Sequence, residues 1–108
     1  MKIHCHCGEM ILDTVDGQSN KAHVIPDQEW EGLWDAIDAA IEKSGPSAKD
    51  KERACMELRS LFGQLTRLAW QCGDCGRIYL EQHNRQLRQF LPGSEDTPKE
   101  LFRTMPSR

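Results

Sequence analysis

The sequence predicts an α+β protein: short antiparallel strands built around two distant cysteine pairs, with a two-helix hairpin inserted between them. Three observations carry this. "CHCG" at Cys5 to Gly8 recurs in altered form as "CGDCG" at Cys72 to Gly76. The segments flanking both motifs are short, apolar-alternating and bounded by turn residues, as strands are. Between the motifs, apolar residues switch to steps of three and four, the period of a helix face.

Composition sets the frame. At 108 residues, 38% hydrophobic and 29% charged, the chain suits one domain with a single modest core. No stretch reaches the roughly 20 apolar residues that cross a bilayer. "MKIHCHCGEM" has no apolar run after its lysine, so the reading is an unexported chain. The expected location is the cytoplasm, where thiols stay reduced or metal-bound. Net charge is −3 and unevenly spread: residues 1–50 carry four basic and ten acidic side chains, residues 51–108 ten and seven.

In chain order, "MKIHC" and "EMILD" read as strands around the first cysteine pair, and "KAHVIP" as a third after the turn-rich "DTVDGQSN". The first helix runs through "PDQEWEGLWDAIDAAIEKSGP", with Asp27 as N-cap and Gly45-Pro46 as its stop. Trp30, Leu33, Trp34, Ile37, Ala40 and Ile41 form its apolar face. Ser47, with Asp50 three residues on, opens the second helix. Ala54, Leu58, Leu61, Phe62 and Leu65 form its buried stripe, and either Gly63 or a point near Thr66 ends it. The short "SGPS" link makes the pair a hairpin. "LAWQC" is then extended, and "RIYLE" and "QLRQFLP" are strands joined at "QHNR". The tail ends with a helical turn at "PKELFRTM". The expected layout is a single domain over 1–108: strands at 1–25 and 67–92, the helical insertion at 27–66, and a tail at 93–108.

Cys5, Cys7, Cys72 and Cys75 are the candidate metal ligands. Zinc takes four thiolates or imidazoles in a tetrahedron, commonly from two short loops. A Cys-x-x-Cys-Gly turn lets two sulfurs converge, and glycine supplies the positive φ that closes it. In an extended segment Cys5 and Cys7 share one face while His4 and His6 share the other, which selects the thiols as a pair. Buried reduced cysteines or two disulfides are the competing readings. Cys55, near the helical stripe, reads as a core thiol.

Strand, "CHCG", strand, then "CGDCG", "RIYLE", turn and "QLRQFLP" resembles a zinc ribbon, over roughly residues 1–12 and 68–92. It is also similar to small bacterial proteins of the Cys-x-Cys-Gly … Cys-x-x-Cys-Gly-Arg type. The resemblance implies one structural zinc, with Cys5 and Cys7 on one knuckle and Cys72 and Cys75 on the other. The first knuckle is one residue shorter than the ribbon pattern, and 64 residues separate the pairs. Four protein thiolates leave no open coordination position, so such a site is structural rather than catalytic.

The chain has no Gly-rich phosphate loop, no Ser-centred elbow and no His-Glu-x-x-His helix, so no enzyme is expected. Two binding roles compete. In one, Glu31, Asp35, Asp38 and Glu42, at steps of three and four along the first helix, meet an unidentified basic protein. That is an adaptor-like role, or by analogy an immunity-like inhibitor. In the other, the strands bind nucleic acid through Arg77, Arg85 and Arg88, with Tyr79 stacking on a base. The acidic net charge and the sparse basic set, chiefly Arg67, Arg77, Arg85 and Arg88, favour the first. Trp30 and Trp34 are either core plugs between helix and sheet or interface anchors.

Overall fold

The computed structural model describes residues 1–104. The chain is α+β and divides into two compact units, one of Met1–Val24 with the chain from Arg67 onward, the other of Ile25–Thr66. The expected tail at 93–108 falls in the first unit, and its last four residues lie outside the described ones.

Among the described residues, the first unit holds six strands. A two-stranded antiparallel hairpin is made by β1 (Lys2–His4) and β2 (Met10–Leu12), with Ile3 opposite Ile11. Both isoleucines are buried, and the residues flanking them on each strand are exposed, the period-2 pattern of a strand with one core face. A four-stranded antiparallel sheet has the order β3-β4-β5-β6, from β3 (Lys21–Val24), β4 (Arg67–Gln71), β5 (Ile78–Glu81) and β6 (Leu87–Phe90). Its central strand β4 ends in three buried residues, Ala69, Trp70 and Gln71. Ile3, Cys5, Ile11, Trp70, Cys72 and Tyr79 form one buried cluster, so two of the cysteines are part of the core itself.

Trp70 and Gln71 have their buried polar atoms paired, as burial demands. Trp70 is fully buried, and its indole N–H donates to Asp13 Oδ2 at 3.3 Å. That same carboxylate oxygen takes Lys21 Nζ at 2.9 Å. Gln71, also fully buried, ties down the tail. Its amide donates to the Gly76 and Pro98 carbonyls at 3.1 and 2.9 Å, and its Oε1 accepts the Leu101 N–H at 2.8 Å. Residues 98–104 hold turns rather than the expected turn of helix. The β5–β6 turn is closed by Gln82 N–H to Gln86 O and Arg85 N–H to Gln82 O.

The second unit is the helical hairpin, α1 (Asp27–Lys43) and α2 (Ala48–Leu65). Asp27 is the first helical residue, not the cap. Pro26 holds the cap position, where its fixed φ suits the chain's entry and no side chain bonds the first turn. The helix stops before Gly45, because Ser44 turns extended and its hydroxyl donates to Ile41 O. Ser47 caps α2 as expected, its hydroxyl accepting the Asp50 N–H at 3.1 Å. Gly63 does not end α2, which runs to Leu65.

Burial in the hairpin is thinner than the apolar stripes imply. Leu33 alone is fully buried on α1, and no residue of α2 is. Trp30, Trp34 and Ile41 stay exposed at 45%, 51% and 68%, and Phe62 at 36%. A pair of helices has one seam, which covers Ala54, Leu58 and Leu61 in part and leaves the stripe's margins open. Cys55 also lies outside that seam: the expected core thiol is exposed.

Candidate metal centre

Two turns of different length aim four sulfurs at one point. The first is not the extended segment that strand alternation requires. β1 ends at His4, and Cys5 to Gly8 form a tight turn, with Gly8 N–H bonded to Cys5 O at 3.0 Å and Cys5 N–H to Glu9 O at 2.9 Å. The second repeats the scheme one residue longer, with Gly76 N–H to Cys72 O at 2.9 Å and Cys72 N–H to Arg77 O at 2.9 Å. In both, the closing glycine sits in the left-handed region, Gly8 at φ 99° and Gly76 at φ 84°. A side chain there meets its own backbone, which is why each knuckle ends in glycine.

The sulfurs pair across the knuckles. Cys5 Sγ lies 3.5 Å from Cys75 Sγ, and Cys7 Sγ 3.6 Å from Cys72 Sγ. All four ligand atoms lie within 4.8 Å of one another. A disulfide needs about 2.05 Å, and all five cysteines are free thiols. A tetrahedron of sulfurs about 2.3 Å from a central ion has edges of about 3.8 Å, close to the spacing here. The set can hold one metal ion. It is the one such cluster of histidine, cysteine and carboxylate groups among the described residues, and neither His4 nor His6 belongs to it.

The surroundings already favour anionic sulfur at one position. Burial opposes ionisation of Cys5, but the Cys7 backbone N–H and the side chains around the sulfur outweigh it and lower its pKa to about 6. At Cys7 the Glu9 amide favours the anion, yet desolvation and the three other thiols push the value up to about 12. Burial also raises Cys72. Metal binding takes thiolates, so a bound cation would displace the protons that the thiols carry.

Supporting residues hold the turns in place. Arg77 Nη1 donates to Cys75 Sγ at 3.5 Å, setting a fixed positive charge against the thiolate cluster. Tyr79, buried at the floor, accepts the His6 backbone N–H and donates to Gln89 Oε1, both at 3.1 Å. Asp74, inside the second knuckle, lies with Oδ2 3.9 Å from Cys7 Sγ. None of these three roles is evident from residue type alone. The available signal was position: Asp74 lies within "CGDCG" and Arg77 directly follows it.

The residues named for nucleic-acid binding do not assemble as expected. Tyr79 is 6% exposed, so its ring has no free face for a base. Arg77 faces Cys75, Arg85 Nη1 pairs with Glu81 at 3.4 Å, and Arg88 is exposed on β6, where half-buried and exposed residues alternate. Glu31, Asp35, Asp38 and Glu42, by contrast, are all exposed on α1.

Residues 1–103 match a family described as a domain of unknown function, DUF8617. The match takes in both cysteine knuckles and the helical hairpin. No curated protein and no solved structure matches the chain.

Proposed function

The chain belongs to the DUF8617 family, and for it we propose a small zinc protein that acts as a stoichiometric protein-interaction module, adaptor-like or immunity-like, in a reducing cytoplasm. Zinc is the ion because a four-thiolate tetrahedron is its preferred structural site. With four protein ligands the ion has no position for water or substrate, so its task is to hold two knuckles of a ribbon-like fold together rather than to catalyse. No helix among the described residues is long and apolar enough to cross a membrane.

The observation that carries the interaction role is the surface of α1. Glu31, Asp35, Asp38 and Glu42 are exposed at steps of three and four, and Trp30 and Trp34 stand beside them, also exposed. The two indoles pack edge to face, with centroids 5.8 Å apart. Exposed tryptophans next to a charged stripe have the make-up of an interface, with an aromatic anchor and a steering charge. The partner this fits is a basic protein surface.

The test is capture from nuclease-treated lysate by immobilised, metal-loaded protein, set beside the double variant Asp35→Lys/Asp38→Lys. A stoichiometric partner held by the wild type, and bound more slowly by the variant, supports the reading. Capture that is identical for both proteins, with the same salt dependence, overturns it.

A further inference from the structure

Outside the metal centre, the first unit carries a groove of about 570 Å³ between β1 and β6. Its rim holds Lys2, His4, His6 and Arg88, all four exposed, and none of the residues lining it is acidic. In a chain of net charge −3 with 17 acidic side chains, that local composition is unusual.

The fold explains how these groups meet. On β1, Lys2 and His4 flank buried Ile3 and so project to the same open side. On β6, Arg88 projects outward between half-buried Leu87 and Gln89. Tyr79 ties the two walls together, taking the His6 backbone N–H and giving its own proton to Gln89 Oε1. That hydrogen bond uses the acceptor of the Gln89 side chain and leaves its NH₂ as a donor. The polar lining therefore offers an ammonium, a guanidinium, two imidazoles and an amide NH₂, with no carboxylate to compete.

We propose that this groove binds the phosphate group of a small phosphorylated compound. A guanidinium fork and an ammonium lining one groove match the several acceptor oxygens of a phosphate, and the volume lies within the usual range for small-ligand sites. The groove is short, and its basic groups are few, which suits a single phosphate group better than a long polyanion. This inference goes beyond the zinc and partner readings, and uses neither the four thiols nor the acidic face of α1.

The test titrates inorganic pyrophosphate into the full chain as purified, following backbone amide shifts at constant ionic strength. Saturable shifts confined to residues 2–6 and 87–89 are expected. Affinity should drop at least tenfold in Lys2→Glu/Arg88→Glu and hold in the surface control Arg103→Glu. Lys2→Ala/Arg88→Ala, checked for unchanged metal content and circular dichroism, guards against a folding defect and should also lose affinity. A ten-nucleotide deoxythymidine strand forms the second arm. Binding no tighter than pyrophosphate fits the small-ligand proposal, whereas a strand bound tenfold tighter through the same residues overturns it in favour of nucleic acid. Absence of saturable pyrophosphate binding, or binding indifferent to Lys2 and Arg88, also overturns the proposal.

Discussion

Cys5 and Cys75 are 70 residues apart in sequence, yet their sulfurs lie 3.5 Å apart. Closing a loop of that size costs about 3–4 kcal/mol of chain entropy, and a structural zinc supplies apparent energies of roughly 10–16 kcal/mol in small peptides. An ion at this point can clasp the first and second knuckles and still leave a surplus to stabilise the unit.

Arg77 and Asp74 act on the metal site with opposite sign. Replacing Arg77 by Gln removes the positive charge 3.5 Å from Cys75 Sγ and should weaken metal affinity about tenfold, within the range for outer-shell partners. Asp74→Asn removes a carboxylate 3.9 Å from Cys7, whose sulfur becomes anionic when it binds metal, and should tighten affinity about two- to fivefold. Competition against a chromophoric chelator reads both. Changes of the same sign would contradict the electrostatic account.

Gly76→Ala should destabilise the first unit by about 1–2 kcal/mol, the cost of a side chain in the left-handed region. Gly76 sits at φ 84°, and an added Cβ would meet Lys99 Cγ only at van der Waals contact, 3.4 Å, so the cost is that of the backbone. Denaturant midpoints of the metal-loaded proteins test this. Gly73→Ala in the same knuckle has no positive φ and open space around it, so it serves as the control.

Asp13 gives the fold an acid-sensitive component. The Lys21 ammonium, against the opposing effect of burial, holds the Asp13 carboxyl below the usual carboxylate range, with Trp70 also donating to it. A depressed folded-state value means stability that is present above the unfolded value near 3.9 and is lost as pH falls through the folded one. Asp13→Asn should therefore cost about 1–3 kcal/mol at pH 7. That difference should shrink steadily below about pH 4. A difference that persists unchanged to pH 2 would contradict the pairing.

Cys55→Ser should retain the full metal content and shift stability by less than about 0.5 kcal/mol, as for an ordinary surface position. The thiol is exposed beside Ala54 and Leu58 rather than packed beneath them. Cys72→Ser, at a fully buried ligand, should lose the metal and unfold the first unit. Metal analysis and thermal melts of the two variants separate these outcomes.

What the sequence made legible follows the range of the forces involved. Local chemistry was readable: Ser47 as a cap, glycines closing both knuckles, and strands on either side of them each depend on a few neighbouring residues. The four-thiol set was readable too, since two short loops that each carry a cysteine pair are a common way of building a four-ligand metal site. Burial was not. Trp30, Trp34 and Cys55 lie on or near stripes with helical period, but a period states only which residues share a face, not whether anything covers it. Tyr79 shows the same limit from the other side. An aromatic among arginines suggested base stacking, whereas its hydroxyl bonds to His6 and Gln89 put the ring in the core. The turn at Cys5 to Gly8 brought Cys5 and Cys7 together by backbone hydrogen bonds rather than by strand alternation.

Cys5, Cys7, Cys72 and Cys75 are proposed to hold one zinc ion. Elemental analysis of protein purified without a histidine tag, alongside a count of reactive thiols before and after chelation, tests it most directly. One zinc per chain is expected, with four thiols protected until the chelator removes the ion and Cys55 reactive throughout. Folded protein carrying less than about a tenth of an equivalent of zinc, with all five thiols reactive from the start, would contradict it.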